Sequence, residues 1–254
     1  VLLVAVLSTF ILAVACTHIN TEKKTLEPGS VKTKIYSSKK TLNFSKTVLI
    51  LPPTGGATYL DRSYARALAE RGFKAVLITN WAGLDETDVN IEVHKRLLTR
   101  AQNAIDLAIN DHPSNFFGIL GTSVGGIHST IAISRQDKLD AAVIIVGGAP
   151  VSKVIARSDQ EKLANYRKDR FKKYNFDSVE SYEQALKNVI PYDPLIDVPM
   201  AHRKDVALFI SKNDSTVLTA YQKKLINLFN PKLIKKYNNA HIGTVIKTWL
   251  YNKN

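Results

Sequence analysis

A chain of 254 residues, 45% hydrophobic and 22% charged, can bury a large core and has the composition of an ordinary globular protein, one domain carrying an insertion. Its 35 Lys and Arg against 22 Asp and Glu leave a net charge of +13. No RNA- or DNA-binding motif with interleaved aromatics accompanies that charge. Nucleic acid therefore gives way to an anionic membrane or envelope surface as the expected partner, with general lysine richness as the plain alternative.

Residues 1–15 (VLLVAVLSTFILAVA) are uncharged and almost wholly apolar. The run is shorter than the roughly 20 residues of a membrane-spanning helix and suits the core of a signal peptide. Cys16, the one cysteine, follows at once, so no disulfide can form within the chain. Leu12-Ala13-Val14-Ala15-Cys16 resembles a bacterial lipobox, whose cysteine is lipidated and becomes the mature N-terminus. It departs from that pattern at Ala13, where leucine is usual, and no basic stretch precedes it. The expectation is a lipoprotein-type signal peptide at 1–15 and an exported, lipid-anchored envelope protein. Residues 16–45 are polar and lysine-rich, their first half expected as a flexible tether and Val31–Phe44 as one or two edge strands.

From residue 46 apolar runs alternate with helical patterns. Thr47–Leu51 reads as a buried strand ending in Pro52-Pro53-Thr54-Gly55-Gly56, and Leu60–Arg71 as a helix stopped by Gly72. Phe73–Thr79 is the next strand, a loop through Trp81 and Gly83 follows, and a long helix runs from about Val89 to Asn110. Phe116–Leu120 is a strand leading into a helix, and Ala141–Val146 is another strand. The pattern then breaks. From about 150 to 200, Val154–Tyr174 and Ser178–Val189 read as charged amphipathic helices with no strand between them, an insertion forming a cap. The eight Lys and Arg from Lys153 to Lys173 make a basic face, read as solvated. Strand Asp205–Ser211, helix Thr219–Phe229, strand Lys232–Tyr237 and helix Ile242–Tyr251 restore the alternation. Strands alternating with helices imply an α/β fold whose mostly parallel sheet is covered on both faces.

Between the strand at Phe116–Leu120 and its helix stands Gly121-Thr122-Ser123-Val124-Gly125-Gly126. G-x-S-x-G at a strand-to-helix turn is a nucleophile elbow. So sharp a turn brings the residues two before and two after the serine together, which requires Gly121 and Gly125 to lack side chains. It also exposes the Ser123 hydroxyl and puts the Val124 N–H at a helix N-terminus, where it can hold an oxyanion. A glycine-rich turn with Ser123 as a helix cap is the structural alternative, and neighbouring chemistry decides between them. Asp214 follows the strand Asp205–Ser211, and His241 follows the last strand. In a parallel sheet such positions share the carboxyl edge, where a histidine can take the serine proton and a carboxylate can fix the histidine tautomer.

With the triad in the order Ser, Asp, His, the chain from about Thr47 onward resembles the α/β-hydrolases: a three-layer domain at 46–254 with a small helical cap at about 150–200. The resemblance implies Ser123 as nucleophile, Asp214 as acid and His241 as base. Where that family commonly has His-Gly, this chain has Pro52-Pro53, which lack an N–H. The second oxyanion donor is then expected at Thr54, with Gly55 as fallback. Asp193 and Asp197 are rival acids and His202 a rival base, while His94, His112 and His128 read as surface or packing residues. The histidines are scattered, and no phosphate loop or dinucleotide fingerprint is present, so no metal and no cofactor is expected. The implied activity is hydrolysis of a small-molecule carboxylic ester through an acyl-enzyme. A peptidase or thioesterase on the same triad, and a non-catalytic envelope binding protein of this fold, are the alternatives.

Overall fold

Alternating apolar side chains in the central strands build a sheet with two buried faces. The computed structural model describes residues 18–26, 31–39, 46–80, 88–196 and 204–251. The expected signal peptide, Cys16, Trp81, Asp197 and His202 lie outside the described residues. The strands are β1 (Ile19–Leu26), β2 (Val31–Ser38), β3 (Lys46–Leu51), β4 (Lys74–Asn80), β5 (Phe116–Thr122), β6 (Ala141–Ile145), β7 (Asp205–Ser211) and β8 (Leu233–Tyr237). They form one 8-stranded sheet in the order β1-β2-β4-β3-β5-β6-β7-β8. β2 runs antiparallel to both its neighbours, and every other pairing is parallel.

Leu49 and Leu51 of β3, Val76 and Ile78 of β4, and Leu208 and Ile210 of β7 point to one face. There they meet α2 (Val93–Asp111), α3 (Val124–Arg135) and α7 (Thr219–Phe229) through Ala101, Ile105, Ala132, Leu225 and Phe229. Val48, Ile50, Ala75, Leu77 and Phe209, each one residue out of phase, point to the other face. That face is covered by α1 (Tyr59–Glu70) and α8 (His241–Tyr251) through Tyr64, Ala65, Ala69, Val245 and Trp249. Each fully buried Leu or Ile contributes roughly 1.5–3 kcal/mol. The period-2 register therefore fixes which way every strand end faces, and with it the loops beyond. Sequence order reverses around β3: the chain crosses to β4 on one side through α1, then returns through α2 to β5 on the other side. Parallel α/β sheets place ligands at the carboxyl edge of such a reversal.

Three expectations are corrected. The expected tether holds β1, paired with β2 without a break from Ile19↔Ser38 to Leu26↔Val31, so the sheet begins well before residue 46. β1 is an exposed edge strand of polar residues buried only toward its ends, and it gains its stability from backbone pairing and the Lys24–Asp111 ion pair at 2.7 Å. Nothing in a polar edge strand alternates, so hydrophobic periodicity cannot find it. The first cap helix is two helices, α4 (Val151–Arg157) and α5 (Glu161–Tyr174), followed by α6 (Val179–Val189). The break falls where the Ser158 hydroxyl accepts the Gln160 N–H at 3.2 Å, a local hydrogen bond that competes with the helix. The cap's basic face is also not simply solvated. Arg157 pairs with Glu180 and Glu183, Arg167 donates to the Ala156 and Ser158 carbonyls that end α4, and Arg170 is 1% exposed.

Candidate active site

Ser123 sits between β5 and α3 with φ 57° and ψ −118°, a conformation that costs a non-glycine residue energy and persists only where its surroundings enforce it. They do so closely. A Cβ at Gly121 would collide with the Gly125 carbonyl and the Ser129 hydroxyl, and one at Gly125 with the Leu51 carbonyl. The backbone is pinned by Ser123 N–H donating to the Ile145 carbonyl at 2.9 Å and Ile127 N–H to the Ser123 carbonyl at 3.0 Å. Ser123 occupies the N-cap position of α3, yet its side chain makes no capping hydrogen bond. Its Oγ lies 2.9 Å from His241 Nε2 instead.

His241 opens α8. The loop before it is laced to the end of β7: the Asn239 carbonyl accepts from the Ser211 hydroxyl at 2.5 Å and from the Asn213 N–H at 3.4 Å. That lacing brings His241 Nδ1 to 2.7 Å from Asp214 Oδ2. The Asp214 side chain is fully buried, and every partner it has is a donor. Oδ1 accepts the N–H groups of Thr216 and Val217, both at 2.9 Å, and Oδ2 accepts Gln222 Nε2 at 2.7 Å besides the imidazole. An acceptor-only carboxylate makes Nδ1 the protonated nitrogen and leaves Nε2 to accept from Ser123. The turn-forming role open to an aspartate here is also real, but it occupies Oδ1 and leaves Oδ2 for His241.

Gln222 is a positioning group that sequence reasoning does not find. It is 1% exposed on the first turn of α7, its Nε2 also donating to the Val217 carbonyl at 2.7 Å and its Oε1 accepting the Ser211 N–H at 3.0 Å. It therefore ties the end of β7 to the acid loop and to the acid itself. Its only signal in the sequence is a polar side chain on an otherwise core-facing helical stripe.

Two spaces meet at Ser123. An inner cavity of about 140 Å³ runs beneath the cap, its walls including Leu98, Ile127, Val151 and Val154 together with Thr54, Ser123 and Val124. An outer cleft of about 380 Å³ is lined by Thr54, Thr58, Asp61, Ser123, His241 and the 73% exposed Ile242. Thr54 and Ser123 line both, His241 only the outer one. The Thr54 N–H makes no hydrogen bond among the described residues, and it stands in a turn closed by Gly56 N–H to the Pro53 carbonyl at 3.2 Å. Gly55 takes the left-handed position of that turn at φ 94° and lines neither space. Of the two expected donors, Thr54 is the one in the site. Thr58 starts α1 with a capping box: its hydroxyl and N–H donate to Asp61, whose carboxyl burial pushes above the usual range.

Of the rival acids, Asp193 takes a structural part, and Asp197, like the rival base His202, lies outside the described residues. Asp193 accepts the Val151 N–H at 2.8 Å and the Leu195 N–H at 3.0 Å, serving the start of α4. His112 is pushed down to about 4 by burial and by the Lys74 charge. His94 and His128, expected at the surface or in packing, are buried in the wall of the inner cavity, and burial pushes each down to about 3, with the Arg170 charge adding to the effect at His94. Both are neutral at pH 7. No group of His, Cys, Asp and Glu that could hold a metal occurs among the described residues.

No protein-family model matches the chain, and no curated protein sequence does. Solved structures do. The chain is similar to the acylaminoacyl peptidase of Pyrococcus horikoshii, with 13% identity and a TM-score of 0.65 over 97% of this chain and 42% of that one. It is similar to an acetyl xylan esterase from Paenibacillus sp., with 12% identity and a TM-score of 0.61 over 98% of this chain and 93% of that one. An esterase from Pyrococcus furiosus gives 14% identity and a TM-score of 0.59 over 93% and 89%. The chain thus spans less than half the length of the peptidase and most of each esterase. At these identities the likeness establishes the fold. The chain has the α/β-hydrolase fold, with a mostly parallel eight-stranded sheet and a small helical cap.

Proposed function

We propose that the protein is a serine hydrolase that cleaves carboxylic esters of compact acyl groups. The observation that carries the reading is the hydrogen-bonded chain from Asp214 through His241 to Ser123 on a strained, glycine-locked turn. In this reading His241 Nε2 takes the hydroxyl proton as Ser123 Oγ attacks the acyl carbon. The Asp214 carboxylate stabilises the imidazolium, and the oxyanion is held by the N–H groups of Val124 and Thr54. His241 then protonates the departing alkoxide, which places the leaving group on its side, in the outer cleft. Water, activated by the same nitrogen, releases the acid from Ser123. The acyl group is left with the inner cavity. A cavity of about 150 Å³ accommodates a benzene ring, so 140 Å³ suits an acyl chain of about four to six carbons. The esterases of similar fold are in keeping with this choice.

A panel of p-nitrophenyl esters from acetate to decanoate tests it on the chain beginning after Cys16. The expected result is a kcat/KM that peaks at short acyl lengths and falls at least tenfold by decanoate. A folded protein that hydrolyses none of them would overturn the reading.

The same proposal includes attachment to the bacterial envelope through lipidated Cys16. The net charge of +13 favours an anionic surface. The exposed apolar residues Tyr59, Ile242, Ile246, Leu250 and Tyr251, on and beside α8, favour contact with the lipid interface itself. No helix among the described residues is long and apolar enough to cross a membrane. Cys16→Ser in the full chain should move the protein from the membrane to the soluble fraction, and unchanged partitioning would remove the anchor from the proposal.

A further inference from the structure

Arg170 of α5 is 1% exposed and lines the inner cavity. Its partners are all uncharged. Nε donates to the Val89 carbonyl at 3.1 Å and Nη2 to the Asp88 carbonyl at 3.2 Å. Nη1 bonds His94 Nε2 at 2.8 Å and the Tyr182 hydroxyl at 2.7 Å, and the guanidinium lies 5.7 Å from the centre of the Tyr166 ring. His94 is held neutral by burial and by Arg170 itself, and burial pushes the Tyr182 phenol above its usual value. The Asp88 carboxylate is turned away, to Arg96 and to the Asn90 N–H. Four of the five guanidinium N–H groups thus go to the four acceptors just named, and the positive charge has no carboxylate beside it among the described residues.

Burying a charge without a counter-charge is costly, and proteins ordinarily pair such an arginine with a carboxylate. The cavity wall offers none. Among the described residues its lining holds no Asp or Glu, and its other charged residue there is Lys162, a second cation. The same wall carries Ser123 and the N–H-bearing Val124 and Thr54. A molecule acylating Ser123 therefore extends into a small, mostly apolar space whose formal charges, among the described residues, are positive.

We propose that the acyl group this cavity receives ends in a carboxylate, with Arg170 as its counter-ion, so that the preferred substrates are monoesters of short dicarboxylic acids. This rests on the serine-hydrolase reading and deepens it. Hydrolysis adds water across the ester bond, releasing the alcohol through the outer cleft and the dicarboxylate from the inner cavity. An acyl chain of about four to six carbons fills 140 Å³ and leaves its terminal carboxylate at the wall. The remaining Nη2 N–H can meet that carboxylate while the other four hold the guanidinium in the wall, and the three N–H groups of an ammonium cannot fill all five places, so lysine at 170 should serve less well. The overall charge of +13 also steers an anionic substrate toward the protein.

The rival role for Arg170 is that of a staple, fastening α5 to residues 88–89 and to α6. The test therefore compares monoethyl glutarate with ethyl pentanoate, which differ mainly in the terminal carboxylate, by pH-stat titration at pH 7. The unaltered protein should prefer the monoester at least tenfold in kcat/KM. Arg170→Gln should lower that preference by about two orders of magnitude and Arg170→Lys by about one, as expected when one partner of a buried charge pair is lost or replaced by a point charge. A preference for ethyl pentanoate, or variants that lose both activities in equal proportion, would overturn the proposal. Should either variant fail to fold, inhibition of the unaltered protein decides. Glutarate should compete with p-nitrophenyl butyrate at least tenfold more strongly than pentanoate does, and equal inhibition would overturn the inference. If neither ester is cleaved and Ser123 takes no fluorophosphonate, it is the serine-hydrolase reading itself that has failed.

Discussion

The carboxyl edge of the sheet and the cap over it hold their functional groups by different means. At the edge, Ser123, Asp214 and His241 stand where backbone requirements put them: a turn that admits only glycine at 121 and 125, and loops tied together through Asn239 and Gln222. Under the cap, the inner cavity is lined by side chains of α4 and α5 set against α2 and α3, and α6 holds the two cap helices through the pairs of Arg157 with Glu180 and Glu183 and an aromatic cluster of Phe171, Phe176 and Tyr182. Backbone constraints tolerate few alternatives, whereas side-chain constraints can be met in many ways. The chemistry of the candidate site is accordingly tied to the edge and its substrate choice to the cap.

The strongest way to break this contrast is at the acid. Asp214→Asn sets an NH₂ group against one of the four donors now facing the carboxylate and frees the wrong imidazole tautomer. It should lower kcat by about 10⁴-fold. A loss below tenfold, read with a short-chain p-nitrophenyl ester, would mean that Asp214 serves only its turn.

Thr54→Pro comes next. The Thr54 N–H is unused among the described residues, and its place in the Pro53–Gly56 turn is one where proline fits, so the substitution removes a donor with little structural cost. The expected loss is about 10²–10³ in kcat, as for a single oxyanion donor elsewhere. Unchanged kcat would assign the second donor to another group.

The cavity wall should show itself through acid lability. His94 and His128, fully buried, are held near 3, while an unfolded histidine titrates at about 6.5. Between those values the unfolded chain binds protons that the folded one excludes, so stability is full above pH 6.5 and falls as the pH drops toward 3. At pH 5 the loss is roughly 2 kcal/mol per histidine. His112, held near 4, adds a similar loss, so in urea denaturation at pH 7 and pH 5 His94→Gln should remove about one third of the difference. A pH-independent midpoint would contradict the burial of both rings.

The smallest effect should come from the cap's outer face. Arg157 is about one third exposed, and Glu180 and Glu183 are its partners. Arg157→Gln should cost no more than about 1 kcal/mol in the same denaturation experiment, the usual worth of an exposed pair.

The same division explains what could be read from the sequence. Buried strands such as Thr47–Leu51 and Ala141–Ile145 declare themselves as apolar runs, and Ser123, Asp214 and His241 stand out as candidates because each follows a strand. β1 leaves no such trace, since an edge strand built mostly of Asn, Thr, Glu and Lys is stabilised by pairing with β2 rather than by burial. Arg170 reads as one more solvated cation in a basic stretch, because nothing local separates an inward-turned arginine from the seven other basic residues near it. Its burial depends on Val89 and His94 from one stretch of the chain and Tyr182 from another. Gln222 is hidden for the same reason: what identifies it is contact with Asp214 and Ser211.

Covalent labelling tests the central claim most directly. A fluorophosphonate should modify the unaltered protein at one site, with peptide mass spectrometry placing the adduct on Ser123, and Ser123→Ala should take no label while keeping its denaturation midpoint. Absence of labelling in the folded protein, or an adduct that persists in Ser123→Ala, would contradict the account.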